Sequence, residues 1–322
     1  MKIKIIIILG NLLLSQLLDD SMNINYIPTS VNSSGMGGIY IPHNIDNEIN
    51  FSHLSRFGGI YRLDAIQYNN ILFTTHGVSD IVNTTQAWTN IDGDGPAANE
   101  IDYSKISYFD VKDYNITTSK IIKNKYNILI KGTLSENYNR YGFGLGLNIV
   151  TTKREYNGIC DTGDNDNNNN NKWFDYYLGI YDILSFKIWP RNNSFLSSSS
   201  CSDCEGYLEF YEPKIMVSLE RRFLKSLNIL TLYGMYNKDA NGESTVDYRF
   251  GSKITLTDNI DIFLGKSRFK KLSFGFSISN QLFNIDYSYI ISADDLPFDN
   301  SYNIGLGINI NQLIERGGSF HP

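Results

Sequence analysis

Residues 272–291, LSFGFSISNQLFNIDYSYII, contain two runs in which large apolar residues alternate with small or polar ones. In the first run, for example, Leu272 and Phe274 flank Ser273. A period of two is typical of a β-strand with one apolar face and one polar face. Asn280-Gln281 separates the two runs. The stretch therefore predicts two antiparallel strands joined by a tight turn.

The same alternation extends over the C-terminal third of the chain. It predicts further strands over 246–256, 260–264 and 302–310, with connections that are alternately short and long. Transmembrane β-barrels have this asymmetry, because tight turns lie at one rim and longer loops at the other. The pattern therefore favours a barrel.

Earlier segments predict more strands, which alternate less regularly. These are residues 59–68, 71–78, 126–136, 142–149, 173–189 and 207–236. Three irregular segments, 83–115, 157–172 and 191–206, are rich in Asp, Asn or Ser, and we predict them to be surface loops.

The polar faces of the predicted strands decide between a barrel and a soluble sandwich. They carry mostly Gly, Ser and Asn with few charges, whereas a sandwich would expose many Lys, Glu and Thr to water. Small residues suit a narrow or filled lumen. Beyond the N-terminus, no uncharged apolar run approaches the ~20 residues of a spanning helix. The sequence thus predicts an all-β, transmembrane antiparallel barrel, with a soluble secreted β-sandwich adhesin module as the alternative.

The N-terminus has the pattern of a secretory signal peptide. Lys2 and Lys4 precede an apolar run that begins at Ile5, and a cationic start before a short apolar core is the mark of such signals. We predict a signal peptide over 1–20, with cleavage around residues 15–22. The protein is therefore expected to be exported.

Charge and motifs exclude several functions. The net charge of −6 and pI near 5.3 lack the basic footprint of a nucleic-acid-binding protein. No GxSxG, HExxH or Walker loop occurs, so we predict neither an enzyme nor a cofactor.

Two further groups of residues are candidates for a disulfide and for a calcium site. Cys201 and Cys204 have CxxC spacing and are predicted to form a loop disulfide or to remain free thiols, with metal or redox chemistry as the less favoured alternative. Asp92, Asp94 and Glu100 supply the hard oxygens that calcium prefers, although turns favour Asp for their own reasons.

Several segments resemble the PorV/PorQ outer-membrane family, which is related to the FadL fatty-acid channels. They are Ser34-Gly-Met-Gly-Gly-Ile-Tyr40, Asn50-Phe-Ser-His-Leu-Ser-Arg56, Tyr141-Gly-Phe-Gly-Leu-Gly146 and Phe283-Asn-Ile-Asp-Tyr-Ser-Tyr289. The resemblance implies a barrel of about 14 strands with an N-terminal plug in its lumen. The family commonly ends on its last strand, whereas residues 311–322 follow it here.

The resemblance also implies a division of the chain. We expect a plug over 21–58, the barrel over 59–310 and a tail over 311–322. The predicted plug residues are Gly35, Met36, Gly37, Gly38 and Asn50.

The resulting prediction is a non-catalytic barrel of PorV/PorQ type in a Gram-negative-type outer membrane, associated with secretion or the envelope. Its partners would be outer-membrane lipid and envelope proteins. The alternative is a FadL-like transporter of hydrophobic small molecules. Alternation along the strands places several charged residues on the polar faces, which would line the lumen. These residues are the candidate site, and they either take part in the function or only stabilise the barrel interior. These are Asp247, Arg249, Lys253, Asp261 and Asp286. Asp286 is predicted to pair with Arg249 or to hold the plug.

Overall fold

The structure is a computed structural model, and it describes the chain in segments. The described residues are 30–36, 48–56, 59–83, 106–123, 125–137, 140–151, 154–157, 172–190, 206–221, 227–238, 244–267, 272–291 and 300–317. The predicted signal peptide, Gly37 and Gly38, the acidic residues Asp92, Asp94 and Glu100, and all three cysteines lie outside them.

Strands dominate the described residues, as the alternation predicts. Two short helices flank them, α1 (Val31–Gly35) and α2 (Ile310–Gly317). The strands are β1 (Glu48–Arg56), β2 (Tyr61–Tyr68), β3 (Ile71–Asn83), β4 (Ser107–Ile122), β5 (Tyr126–Asn137), β6 (Arg140–Thr151), β7 (Arg154–Asn157), β8 (Lys172–Tyr181), β9 (Ser185–Trp189), β10 (Tyr207–Tyr211), β11 (Lys214–Arg221), β12 (Leu227–Lys238), β13 (Ser244–Thr257), β14 (Ile260–Lys266), β15 (Leu272–Ser279), β16 (Phe283–Ile291) and β17 (Ser301–Asn309). Neither described helix is long and apolar enough to cross a bilayer.

All described strands belong to one antiparallel sheet. Its order is circular, because β1 pairs with both β2 and β17: Phe51 lies opposite Ile66 on one side and Leu306 on the other. The join between β6 and β8 is narrow, with Ile149 opposite Ile180 and Val150 opposite Gly179. The pairing nevertheless leads from strand to strand back to β1, which is the arrangement of a barrel.

Three of the described segments continue a preceding strand. β7 extends β6 along β8, β9 extends β8 along β6, and β11 extends β10 along β8. The seventeen described segments therefore occupy fourteen positions around the barrel. This confirms the predicted all-β barrel of about 14 strands.

Four short hairpin turns lie at the same rim of the barrel. At one rim, hairpins turn at Asn69-Asn70, 123–125, Asp258-Asn259 and 280–282. Asn69 adopts a left-handed conformation with φ of 49°, which Asn tolerates better than most residues. We call this the short-turn rim. The strand ends at Asn83 and Ile291, which longer connections follow, lie at the opposite rim together with the close strand ends at Asn137 and Arg140.

The two faces of the wall differ in polarity. Along β15, Leu272, Phe274 and Phe276 point outward and are 53%, 44% and 39% exposed, whereas Ser273 and Ser277 point inward and are buried. A soluble sandwich buries its apolar face, and this sheet does the reverse. The predicted sandwich alternative is therefore wrong.

Two predicted boundaries are also wrong. Residues 48–56, expected in the plug with Asn50, form β1, because without this strand the edges of β2 and β17 would lack hydrogen-bond partners. Residues 107–115, expected in a loop, belong to β4. This end of β4 carries polar residues such as Asp110 and Asp113 on both faces, so the sequence shows no alternation there.

Candidate functional site: the filled lumen

The segment Ser30–Met36, which we call the lumen segment, lies against the inner face of the barrel wall. Its helix α1 packs on β14, β15, β16 and β17. The Ser30 side chain caps α1 by accepting a hydrogen bond from the Ser33 backbone amide, at 3.2 Å. A cap of this kind lets a helix of one turn form, because it satisfies an amide that has no partner within the helix.

Two hydrogen bonds tie the lumen segment to the wall. Asn303 Nδ2 on β17 donates to Ser34 Oγ at 2.9 Å, and Ser273 Oγ on β15 donates to the Gly35 carbonyl at 2.8 Å. Both wall residues are buried. The small polar residues on the inner faces therefore have a specific role here, since they dock the lumen segment.

Glycines allow the lumen segment to approach the wall closely. A Cβ on Gly35 would lie 2.8 Å from Phe263 Cβ, and a Cβ on Gly305 would lie 2.7 Å from Val31 Cγ2. Real Cβ atoms do not make such contacts, so larger residues at either position would force the segment away.

Replacing Gly305 by Val is expected to loosen the lumen segment. Overpacking of this kind costs about 1–3 kcal/mol, so hydrogen–deuterium exchange of the backbone amides in residues 30–36 should accelerate about 5- to 150-fold. Gly234→Val is the matched control, because a Cβ at Gly234 meets no atom within 4 Å. Equal exchange in the two variants would contradict the docking geometry.

Met36, the last residue of the lumen segment, reaches an apolar cluster across the lumen. It is 6% exposed. We call the buried residues around it the apolar lumen cluster, and they are Met36, Leu129, Val150, Tyr177, Tyr181, Met216 and Phe263. They come from β5, β6, β8 and β11, which are neighbours in the sheet, and from β14, which follows β11 after β12 and β13. Met36 thus fills the space between opposite walls.

The five predicted lumen charges all lie on inner faces. Arg249 Nε donates to Asp247 Oδ2 at 2.9 Å, and Lys253 Nζ lies 2.7 Å from Asp261 Oδ2. Asp286 Oδ2 accepts a hydrogen bond from Asn284 at 3.2 Å. Two of the pairings thus join predicted residues, although the partner shown for Arg249 is Asp247.

Asp286 also lies beside the lumen segment. The site that a Cβ on Gly305 would occupy is 3.5 Å from Asp286 Cβ and 2.7 Å from Val31 Cγ2. Helix α1 accordingly contacts β16, which carries Asp286. That Asp286 holds the plug by a polar contact stays a prediction.

A charged cavity lies away from the lumen segment, and the sequence did not reveal it. Its volume is about 30 Å³, and it is lined by residues that include Asp113, Lys131, Asp182 and Lys187. Lys187 Nζ lies 3.4 Å from both carboxylate oxygens of Asp113.

Both carboxylates at this cavity lie beside basic side chains. His76 Nε2 lies 3.5 Å from Asp113 Oδ2, and Lys214 Nζ lies 3.5 Å from Asp182 Oδ2. Charged side chains from several strands thus meet at this cavity. The lining of this cavity is therefore charged, unlike that of the apolar lumen cluster.

None of the described residues forms a group of His, Cys, Asp or Glu that could hold a metal ion. The proposed calcium ligands and the proposed disulfide fall outside the described residues, and they stay predictions.

Comparisons with known proteins give weak structural likenesses. The chain matches no family model and no curated protein. The toluene transporter TodX of Pseudomonas putida is 9% identical with a TM-score of 0.46, covering 87% of this chain and 97% of that one. The CymD monoaromatic hydrocarbon channel is 9% identical with a TM-score of 0.45, covering 89% and 99%. The KdgM porin is 7% identical with a TM-score of 0.30, covering 81% and 98%. Likenesses this weak do not carry a function to this chain.

Proposed function

We propose that this chain is an outer-membrane barrel that admits small hydrophobic molecules through a lumen closed by its N-terminal segment. The membrane location is supported by the outer wall, whose exposed apolar side chains would meet lipid. A closed circuit of strands satisfies backbone hydrogen bonds inside hydrocarbon, as a membrane protein requires. The protein would act without catalysis.

The apolar lumen cluster is the observation that supports a hydrophobic ligand. Barrel interiors that conduct polar solutes are lined by polar groups. Here Leu129, Val150 and Met216 are buried inside the lumen, next to Met36. Apolar side chains at the end of a displaceable segment are what a hydrophobic molecule would bind when that segment moves.

This proposal takes the FadL-like alternative over the PorV/PorQ-type, secretion-associated role. TodX is described as a toluene transporter and CymD as a monoaromatic hydrocarbon channel. The ligand proposed here is likewise a small hydrophobic molecule. No described feature favours a secretion partner over a hydrophobic ligand, and the secretion role stays a prediction.

Uptake by intact Gram-negative cells tests the proposal. An intact outer membrane slows apolar dyes, so we expect cells that express the chain to take up N-phenylnaphthylamine faster than cells with an empty vector. Uptake of a polar β-lactam should change little. Equal acceleration of both probes would indicate a general leak, and no acceleration of either would reject the conduit.

Folding of the barrel is checked separately in the same cells. The unboiled protein should migrate differently from the boiled protein on a gel, and it should require detergent for extraction. A protein that shows neither property would not be a membrane barrel at all.

A further inference from the structure

The C-terminal helix α2 has one apolar side that the rest of the described chain leaves uncovered. Leu313 and Ile314 are 56% and 65% exposed. With Ile310 they have the i, i+3, i+4 spacing that places side chains on one face of a helix. Asn311, Gln312 and Glu315 fall on the opposite face. The helix is therefore amphipathic.

The start of α2 is fixed at the short-turn rim. Asn309, the last residue of β17, donates its backbone amide to the Leu282 carbonyl at 2.9 Å, beside the turn at 280–282. Asn309 Oδ1 then accepts from the Gln312 amide at 3.2 Å, as an N-cap does. The chain thus leaves the wall and forms a helix directly at the rim.

The apolar outer wall leads to this helix without a break. Tyr302, Ile304 and Leu306 point outward along β17 and are exposed. Phe283, which lies opposite Ile308, continues the same surface to the rim. The exposed residues of α2 come next along the chain, at the short-turn rim.

We propose that α2 lies on the membrane surface at the short-turn rim, with Leu313 and Ile314 inserted among the lipids. This inference rests on the proposed membrane location of the barrel. A lipid surface is the occupant that the position favours, because the uncovered side chains continue a wall that already faces lipid. Amphipathic helices bind the interface in this way, with the polar side toward water.

One tryptophan at a time is added to the full chain, and its fluorescence is compared in vesicles with and without brominated acyl chains. Bromine quenches nearby indoles, so the comparison tests this placement. Leu313→Trp probes the apolar side of α2, and Asn311→Trp is the matched control on its polar side. Ile304→Trp is the reference for the outer wall. The parent chain, with its 3 native tryptophans, gives the background.

We expect brominated lipid to remove roughly half of the added emission of Leu313→Trp, since such helices bury their apolar side ~5–10 Å into the interface. Asn311→Trp should lose little. If Ile304→Trp is quenched and Leu313→Trp is not, α2 is not a lipid-binding helix. A blue shift in the emission of Leu313→Trp without quenching by bromine would not rescue the inference, because it would indicate that the indole packs on protein and not on lipid.

Failure of the barrel proposal gives a different pattern. If Ile304→Trp itself is not quenched, the outer wall does not face lipid, and the proposed membrane location is rejected together with the placement of α2. Equal quenching of Leu313→Trp and Asn311→Trp would also overturn the inference, because α2 would then be submerged and not held at the surface.

Discussion

The Met36→Ala variant is expected to open the lumen. Met36 is buried in the apolar lumen cluster, and Met-to-Ala substitutions in such surroundings cost about 2–5 kcal/mol. At ~1.4 kcal/mol for each factor of ten, the fraction of molecules with the lumen segment undocked should rise at least about 30-fold. Conducting events in planar bilayers, counted per protein molecule, measure this change.

Leu54→Ala is the matched control for Met36→Ala. Leu54 is fully buried in a separate apolar group with Tyr61, Leu63 and Ala65, so its truncation also creates a cavity. It should lower stability without raising conductance. If both variants conduct equally, general loosening of the barrel explains the effect, and Met36 does not close the lumen.

The Asp247→Ala variant is expected to lower the stability of the barrel strongly. The side chains of Asp247 and Arg249 are 1% and 6% exposed, and Arg249 Nε lies 2.9 Å from Asp247 Oδ2. Removing one partner of a buried ion pair costs about 3–5 kcal/mol, because an attraction that offsets the desolvation of the remaining charge is lost. Urea unfolding in vesicles, followed by the gel shift of the folded form, measures the loss.

Replacing both partners distinguishes the effect of the ion pair from the effect of packing at the two buried positions. Asp247→Met combined with Arg249→Met removes both charges, and we expect stability near that of the parent chain. A single variant as stable as the parent would show that water reaches this part of the lumen and screens the remaining charge. A double variant as unstable as the single one would show that packing at these positions, and not charge, is decisive.

The C-terminal strands could be predicted from the sequence because each has one apolar and one polar face. The runs at 272–279 and 283–291 match β15 and β16 in the structure. The first end of β4 was missed for the opposite reason. Lys112 and Asp110 point outward and pair at 2.9 Å, so this part of the strand has no apolar face to reveal it.

The inner residues could be predicted only strand by strand. Parity along β13 placed Asp247, Arg249 and Lys253 inside, because a strand alternates strictly. The cavity residues Asp113 and Lys187 are 74 positions apart in the sequence. They meet because β6 pairs with both β8 and β9. No spacing rule in the sequence reports that pairing.

The pairing of β1 with β17 has a kinetic consequence. Glu48 lies opposite Asn309, so the last hydrogen bonds of the circle join residues from opposite ends of the chain. Contacts of such long sequence separation form slowly, because the intervening chain must be ordered first. Until they form, two strand edges are open to other chains. A chaperone that shields β1 before β17 is available would therefore prevent aggregation before the circle of strands closes.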